Sequence, residues 1–241
     1  MVLACAGASA LAAEHVALKR PFDLPPSADL AYSIKAKQKG ITLAGDGVVN
    51  WRATDDKYSV STLARASILG KILENRSEGV VDSYGLAPTS WHEKRFRKDP
   101  NTTTFDRAAK RITFSVGEKS FPILGGEQDR ASAQWQMVAV ARGAPAKMVA
   151  GSEWKFFVAG RRDAEQWTFK VVGREKIQTG IGLVETVHLV KSPPADYPDQ
   201  RLDLWLAPSK EWYPVRLKLS EDEDEEFVEQ TLERVTPFSA K

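Results

Sequence analysis

Two groups of residues in this 241-residue chain combine side-chain types and spacing that suit ligand binding. The first is the tripeptide Gln128-Asp129-Arg130, whose guanidinium suits a two-pronged bond to a carboxylate or phosphate. The second is Trp205 with Arg216, where an indole ring and a charged donor on neighbouring strands would suit a sugar or a lipid headgroup. We take these five residues as the candidate ligand-binding set.

Each group also has a purely structural explanation, and the sequence leaves both interpretations open. Asp129 directly precedes a predicted helix, where its carboxylate would accept backbone N–H groups that otherwise lack partners. Arg130 would then pair with a neighbouring acid, and Gln128 would bond the backbone. Trp205 becomes core if both faces of its strand are buried, and lines a site only if one face forms a cleft.

Residues that support metal or nucleophile chemistry are sparse in this sequence. His15, His92 and His188 are dispersed, without the Cys or His spacing of a metal site, and no serine lies in a G-x-S-x-G motif. Paired carboxylates of the glycosidase type are adjacent only in space, so the sequence does not reveal them. We therefore predict no catalytic residue, metal or cofactor, and retain a hydrolase acting on cell-wall polysaccharide as an alternative.

The elements that would position these residues are mostly β-strands. The stretch 201–219 carries two alternating apolar runs around a short loop, with Leu202, Leu204 and Leu206 on one face, and predicts a β-hairpin. Similar runs recur along the chain, and one helix is predicted over about 130–142. The predicted fold is mainly β: a single curved antiparallel sheet or half-open β-barrel (meander) with one substantial α-helix packed at its mouth.

Composition narrows the class of partner. Hydrophobic residues make up 42% of the chain and charged residues 27%, while the formal net charge is +2. A balance this even predicts no nucleic-acid partner. The sequence contains no run of 18 apolar residues, so no transmembrane segment is predicted for the mature chain.

The N-terminus resembles the end of a secretory signal peptide. Residues 1–13 are small and apolar and contain Ala10-Leu11-Ala12, an A-x-A cleavage pattern, although a basic n-region is missing. An Ala-rich helical tail and a lipoprotein anchor through Cys5 are the alternatives. We expect a signal-peptide remnant over 1–13, an extended arm over 14–29 and a single β-rich domain over 30–241. These features predict a periplasmic protein that needs no disulfide.

Four blocks of sequence resemble the family of exported bacterial proteins known only as domain of unknown function 3108. They are Asp82-Ser83-Tyr84-Gly85-Leu86-Ala87-Pro88, the hairpin 104–115, Gln128-Asp129-Arg130-Ala131-Ser132, and Leu204–Pro208 followed by Pro214-Val215-Arg216. Where the family often has a Gly-containing turn after the last block, this chain has the acidic run 221–226. The resemblance implies an exported, mostly antiparallel β protein and no known reaction.

The sequence therefore predicts a non-catalytic binder of an envelope component, either a lipid acyl chain or a glycan. An envelope assembly scaffold is a further alternative, with the acidic run 221–226 as its docking surface. That run could also hold calcium, but its spacing differs from that of a calcium loop. The basic stretch 92–98 could contact phosphates or anionic lipid heads, or form an ordinary charged strand face.

Overall fold

The computed structural model describes residues 15–191, 201–221 and 226–239. The signal-like residues 1–13, the whole Pro-rich loop 192–199 and acidic residues 222–225 lie outside the described residues. The two strands that flank the acidic run are described as far as Glu221 and Glu226, which are register partners.

The described residues form one sheet of 15 strands. Their bounds are β1 (Ala28–Gln38), β2 (Ile41–Ala53), β3 (Lys57–Ala66), β4 (Gly70–Asp82), β5 (Gly85–Arg95), β6 (Asn101–Asp106), β7 (Arg111–Phe114), β8 (Ser120–Pro122), β9 (Gln128–Asp129), β10 (Glu153–Ala159), β11 (Ala164–Thr179), β12 (Gly182–Lys191), β13 (Arg201–Leu206), β14 (Pro214–Glu221) and β15 (Glu226–Pro237).

The sheet is two meanders joined at its centre. Strands β8 to β1 follow one another in space, β1 then pairs with β15, and β15 to β9 complete the order. All neighbours are antiparallel except β9 and β10. The sheet does not close, since β8 and β9 are its two ends. The predicted mainly β fold, a curved open sheet with one helix, is confirmed.

The helix α1 (Ser132–Gly143) is the only α-helix among the described residues. It contacts β5 in the first meander and β9 and β10 in the second, so it lies between the two halves of the sheet. Met137 and Val138 belong to the core formed with β10 to β14, whereas Trp135 packs with β1, β2 and β5. Because α1 is apolar around most of its circumference, it is buried on both sides. Over the described residues, no helix has both the length and the apolar character to cross a bilayer.

The extended arm, residues 15–27, covers the remaining side of α1. The N–H of Asp23 donates to the carbonyl of Ala139 at 2.9 Å, and the carbonyl of Pro25 accepts from the Trp51 indole at 3.0 Å. A Cβ on Gly143 would lie 2.6 Å from the Phe22 backbone, so glycine is needed where the arm crosses the end of α1. The arm therefore bonds both the helix and β2.

Candidate functional site

A ligand-sized groove lies at the rim of the first meander. This rim groove has a volume of about 710 Å³ and runs across the ends of β2, β3 and β4, against Phe238 after β15. Its size lies within the roughly 300–1,000 Å³ of small-molecule sites. Val80 and Phe238, which contribute apolar surface, are 37% and 44% exposed and therefore accessible to a ligand.

Two cations, Arg52 and Lys57, and one acid, Glu78, lie along the rim groove, and Arg76 pairs with Glu78 at 2.8 Å. Arg52 is held in place by Asp29, 2.6 Å away, and by the Trp51 carbonyl at 2.8 Å, and its guanidinium lies 3.8 Å from the centre of the Phe238 ring. Lys57 is exposed at the start of β3. Apolar walls with cations beside them suit a ligand that has an apolar body and an anionic group.

A second pocket of about 520 Å³ adjoins the rim groove. The two share Ser27, Ala53 and Thr54, and the second is walled by residues 22–27 of the arm on one side and by the end of β4 on the other. It is the more polar of the two, with acidic Asp23, Asp55 and Asp82 in its lining. The arm thus forms one wall of this ligand-sized space.

The structure buries Gln128 and Asp129 on the short strand β9, at the entrance to α1. Both have an exposed fraction of 0%, and Gln128 Nε2 donates to the Leu86 carbonyl at 2.6 Å. Asp129 Oδ1 accepts the N–H groups of Ala131 and Ser132, both at 2.8 Å. The carboxylate therefore satisfies backbone donors in the turn that leads into the helix, but the N-cap position itself is occupied by Ala131, two residues after Asp129.

Burial also perturbs the titration of this carboxylate. Removal from water raises the pKa of Asp129 to about 6, even though the Ser77 hydroxyl donates to Oδ2 at 2.5 Å and backbone N–H groups donate to Oδ1. The Tyr58 hydroxyl lies 3.0 Å from Ser77 Oγ, and desolvation together with the charge of Asp129 raises the pKa of Tyr58. These three residues form a buried polar chain that joins β3 and β4 to the start of α1.

Arg130 points away from Gln128 and Asp129. Its guanidinium lies against Gly160, where an added Cβ would meet Nε at 2.9 Å. The residue is partly exposed, unlike its two fully buried neighbours. The tripeptide is thus split, with two members facing the interior and one facing the turn after β10. Ligand binding by this tripeptide stays a prediction.

Trp205 and Arg216 are register partners on β13 and β14, as the hairpin prediction requires. The indole of Trp205 stacks on His188, with ring centres 4.3 Å apart, and donates to Glu175 Oε1 at 2.7 Å. The Arg216 guanidinium lies 5.7 Å from the Trp205 ring centre and donates to the Gln178 carbonyl at 2.8 Å. Neighbouring side chains therefore occupy the indole, and 9% of Trp205 is exposed.

Both faces of β13 are buried because a neighbouring hairpin folds back over the sheet. The N–H of Gly180, in the β11–β12 turn, donates to the Leu232 carbonyl on β15 at 2.8 Å. Ile177 and Val184 from that hairpin belong to the same buried cluster as Trp205. Trp205 thereby lies beneath a second layer of chain. All seven tryptophans are buried, so none of them offers an open aromatic platform.

The three histidines occupy separate positions. His15 lies 2.9 Å from the buried carboxylate of Glu127, and His92 Nδ1 lies 2.8 Å from Thr102 Oγ1. His188 lies between the carboxylates of Glu175 and Asp203, at 3.2 and 2.7 Å. Across the described ranges, no group of three or more His, Cys, Asp or Glu side chains is placed to hold a metal ion.

Sequence reasoning missed the rim groove, although one signal pointed toward it. Gly79 interrupts β4, and a Cβ there would lie 2.2 Å from the Ala87 carbonyl oxygen. The register between β4 and β5 shifts beside it, between Glu78 and Gly79. Glycine within a strand pattern indicates a bulge or a close backbone approach, and this one lies in the groove lining. The groove's other residues come together only through strand register.

The solved structures that match this protein share little sequence with it. A protein with a YmcC-like fold from Bacteroides fragilis is 10% identical with a TM-score of 0.34, covering 92% of this chain and 100% of its own. The lipoprotein LppX of Mycobacterium tuberculosis is 10% identical with a TM-score of 0.30, covering 90% of each chain. A DUF1329 family protein from Desulfovibrio piger is 8% identical with a TM-score of 0.27, covering 89% of this chain and 87% of its own.

The family comparison is more specific. No curated protein matches the chain. The model of the family described as "Protein of unknown function (DUF3108)" matches residues 31–229, a range that includes most of the sheet and all of α1. This range also contains the four blocks on which the resemblance was based. The chain belongs to the DUF3108 family.

Proposed function

We propose that this protein is an exported, non-catalytic binder of an amphipathic envelope lipid. The acyl part of the ligand would lie in the rim groove and its anionic group beside Arg52 and Lys57. The observation that carries the proposal is the groove itself, about 710 Å³ in volume, with accessible apolar residues and two cations along it. Export is supported by the signal-like sequence of residues 1–13.

A lipid fits this surface better than the glycan that the sequence also suggested. Sugar binding commonly uses an accessible aromatic face, and all seven tryptophans are buried. Trp205 in particular is stacked by His188 and covered by the β11–β12 hairpin. The rim groove instead offers Val80 and Phe238, whose exposed apolar surface is better suited to an acyl chain.

Filling the groove tests this proposal. We expect Val80→Trp to weaken binding of a fluorescent fatty acid, cis-parinaric acid, roughly tenfold or more, because the indole would occupy the volume that the acyl chain needs. Val172→Trp is the matched control, since Val172 is also an exposed strand valine, 51% exposed, and lies on β11 outside the groove. Titration by fluorescence measures both variants against the wild-type protein.

The same titration tests whether the anionic group of the ligand lies beside Lys57. Lys57→Gln is expected to weaken binding of the fatty acid by about fivefold and to leave binding of the matching fatty alcohol unchanged, because only the acid carries a charge. Wild-type protein that binds neither probe, and carries no lipid in native mass spectrometry after purification from its own envelope, would contradict the proposal. Equal losses in Val80→Trp and Val172→Trp would contradict the assignment to the groove.

A further inference from the structure

Three hairpin turns of the first meander project from the same edge of the sheet. In a meander, alternate turns lie on the same edge, which here brings together the β1–β2, β3–β4 and β5–β6 turns. We use the name basic edge for the segments 35–41, 65–71 and 94–98, which contain these turns or immediately flank them. The rim groove lies toward the opposite ends of the strands, beside the β2–β3 turn.

Strand register makes the basic edge continuous. Ala66, at the end of β3, pairs with Gly45, four residues inside β2, and Arg95, at the end of β5, pairs with Leu73, three residues inside β4. Along the strand direction, each turn therefore lies three or four residues behind the preceding turn, and the displacement has the same sense both times. Strands that are tilted in a curved sheet have this stagger, so their turns follow one rim.

The turns of the basic edge expose large apolar side chains. Ile68 is 84% exposed, Ile41 62%, Leu69 46% and Phe96 38%. Each lies in a turn or directly beside one, outside the packed part of the sheet. Exposed apolar side chains grouped at one surface indicate contact with an apolar partner.

Cations surround these apolar side chains. The segment 35–41 has three, 65–71 has two and 94–98 has four, and these nine lysines and arginines are Lys35, Lys37, Lys39, Arg65, Lys71, Lys94, Arg95, Arg97 and Lys98. The acidic residues Glu93 and Asp99 directly flank the last segment. Ion pairs join Arg65 to Asp46 at 3.6 Å, Lys71 to Glu74 at 2.7 Å and Arg95 to Glu93 at 2.9 Å, and all three acids lie just outside the segments. On the far side of the β1–β2 turn, Glu226 accepts the N–H of Lys39 and marks where the acidic hairpin begins.

A partner that matches both properties must be anionic at its surface and apolar beneath it. An acidic protein would satisfy the cations but leave Ile68 in a polar contact. At a bilayer of anionic phospholipids, cations meet phosphates while apolar side chains enter the boundary between headgroups and acyl chains. The chain's small net charge of +2 makes the concentration of nine cations here a local feature of this edge.

We propose that the basic edge docks on the surface of an anionic phospholipid membrane. Ile41, Ile68, Leu69 and Phe96 enter the interface, and the nine cations contact lipid phosphates. In this orientation the rim groove lies at the end of the sheet away from the bilayer. The proposal does not depend on ligand binding in that groove, because it rests on different residues.

Vesicle co-sedimentation tests the docking proposal with the full chain. We expect binding to phosphatidylcholine vesicles that contain about 30% phosphatidylglycerol at about 0.1 M salt, and little binding to phosphatidylcholine alone. The combined change Lys94→Glu, Arg97→Glu and Lys98→Glu should weaken binding roughly a hundredfold. The control carries the same change of charge elsewhere: Lys110→Glu, Arg111→Glu and Lys170→Glu should bind within about twofold of wild type.

A second variant separates the insertion of apolar side chains into the membrane interface from the attraction between cations and lipid phosphates. Ile68→Ser with Leu69→Ser keeps every charge and should weaken vesicle binding about tenfold. Both side chains are exposed in a turn, so circular dichroism should show an unchanged fold. The proposal is overturned if wild-type protein does not bind anionic vesicles, if this variant binds as wild type does, or if the control variant loses as much as the basic-edge variant.

Discussion

At pH 5, Asp129→Ala will lower the free energy of unfolding by about 3–4 kcal/mol. The substitution leaves the N–H groups of Ala131 and Ser132 without the acceptor that holds them at 2.8 Å, and it removes the partner of the Ser77 hydroxyl. The Ser132 N–H and the Ser77 hydroxyl are buried, the Ala131 N–H is partly buried, and an unsatisfied buried donor costs about 1–3 kcal/mol. Urea unfolding followed by circular dichroism measures the change.

The companion variant Asp129→Asn tests the protonation of this carboxyl. The folded-state pKa of Asp129 is raised to about 6 from an ordinary 3.8, so the folded protein holds this proton more tightly than the unfolded chain does. The stabilisation that this proton provides is complete below pH 3.8 and is lost as the pH rises through 6. A shift of about two pKa units corresponds to about 3 kcal/mol. An asparagine, always neutral, can accept both N–H groups without this loss. As the pH rises from 4 to 7, we expect the free energy of unfolding of Asp129→Asn to increase by about 3 kcal/mol relative to that of the wild type.

The control is Asp99→Asn, which removes the same charge from an exposed turn between β5 and β6. Its stability difference from wild type should stay nearly constant over this pH range. A difference between Asp129→Asn and wild type that does not change with pH would show that burial does not govern the titration of Asp129. Equal stability of Asp129→Ala and wild type at pH 5 would contradict its role at the start of α1.

The curved sheet and its helix could be predicted from local pattern, because alternating side chains and helix-starting residues act over short distances. Leu202, Leu204 and Leu206 alternate and are buried against the core that contains α1. The helix was predicted over about 130–142 and extends over Ser132–Gly143. The difference at its start arises because Asp129 bonds the turn at 130–131 before the helix begins.

The surroundings of Trp205 could not be read from the sequence, because they depend on contacts between distant strands. Its outer face is covered by the β11–β12 hairpin, whose turn bonds β15 through the Gly180 N–H and the Leu232 carbonyl. A register shift in β11 between Val171 and Gly173 lies where the hairpin leaves the helix-facing core. Bulges of this kind bend and twist a strand pair, and their consequences appear only when the whole sheet is assembled.

The rim groove and the basic edge likewise depend on which distant strands lie next to each other. The cations of 94–98 are visible in the sequence as a basic stretch, but only the meander brings 35–41 and 65–71 to the same edge. The groove has no contiguous signal, since Arg52, Val80 and Phe238 are far apart in the chain. Both surfaces are products of strand order and register.

Trp51→Ala is expected to lower the free energy of unfolding by about 3–5 kcal/mol, the range found when a large buried aromatic side chain is removed. Trp51 is fully buried on β2 and connects three parts of the molecule. Its indole stacks on Trp135 of α1, with ring centres 4.3 Å apart and planes within 5°, and its Nε1 donates to the Pro25 carbonyl of the arm. Thermal and urea unfolding measure the loss.

Trp51→Phe separates the hydrogen bond to the arm from the packing against the helix. Phenylalanine keeps an aromatic ring beside Trp135 but has no donor for the Pro25 carbonyl, so we expect a smaller loss of about 1–2 kcal/mol. The arm should loosen first, which hydrogen exchange of the Asp23 amide reports, because that amide bonds the Ala139 carbonyl of α1. Unchanged exchange at Asp23 in Trp51→Phe would mean that the arm is held by its other contacts, such as the Asp23–Arg142 ion pair at 2.9 Å.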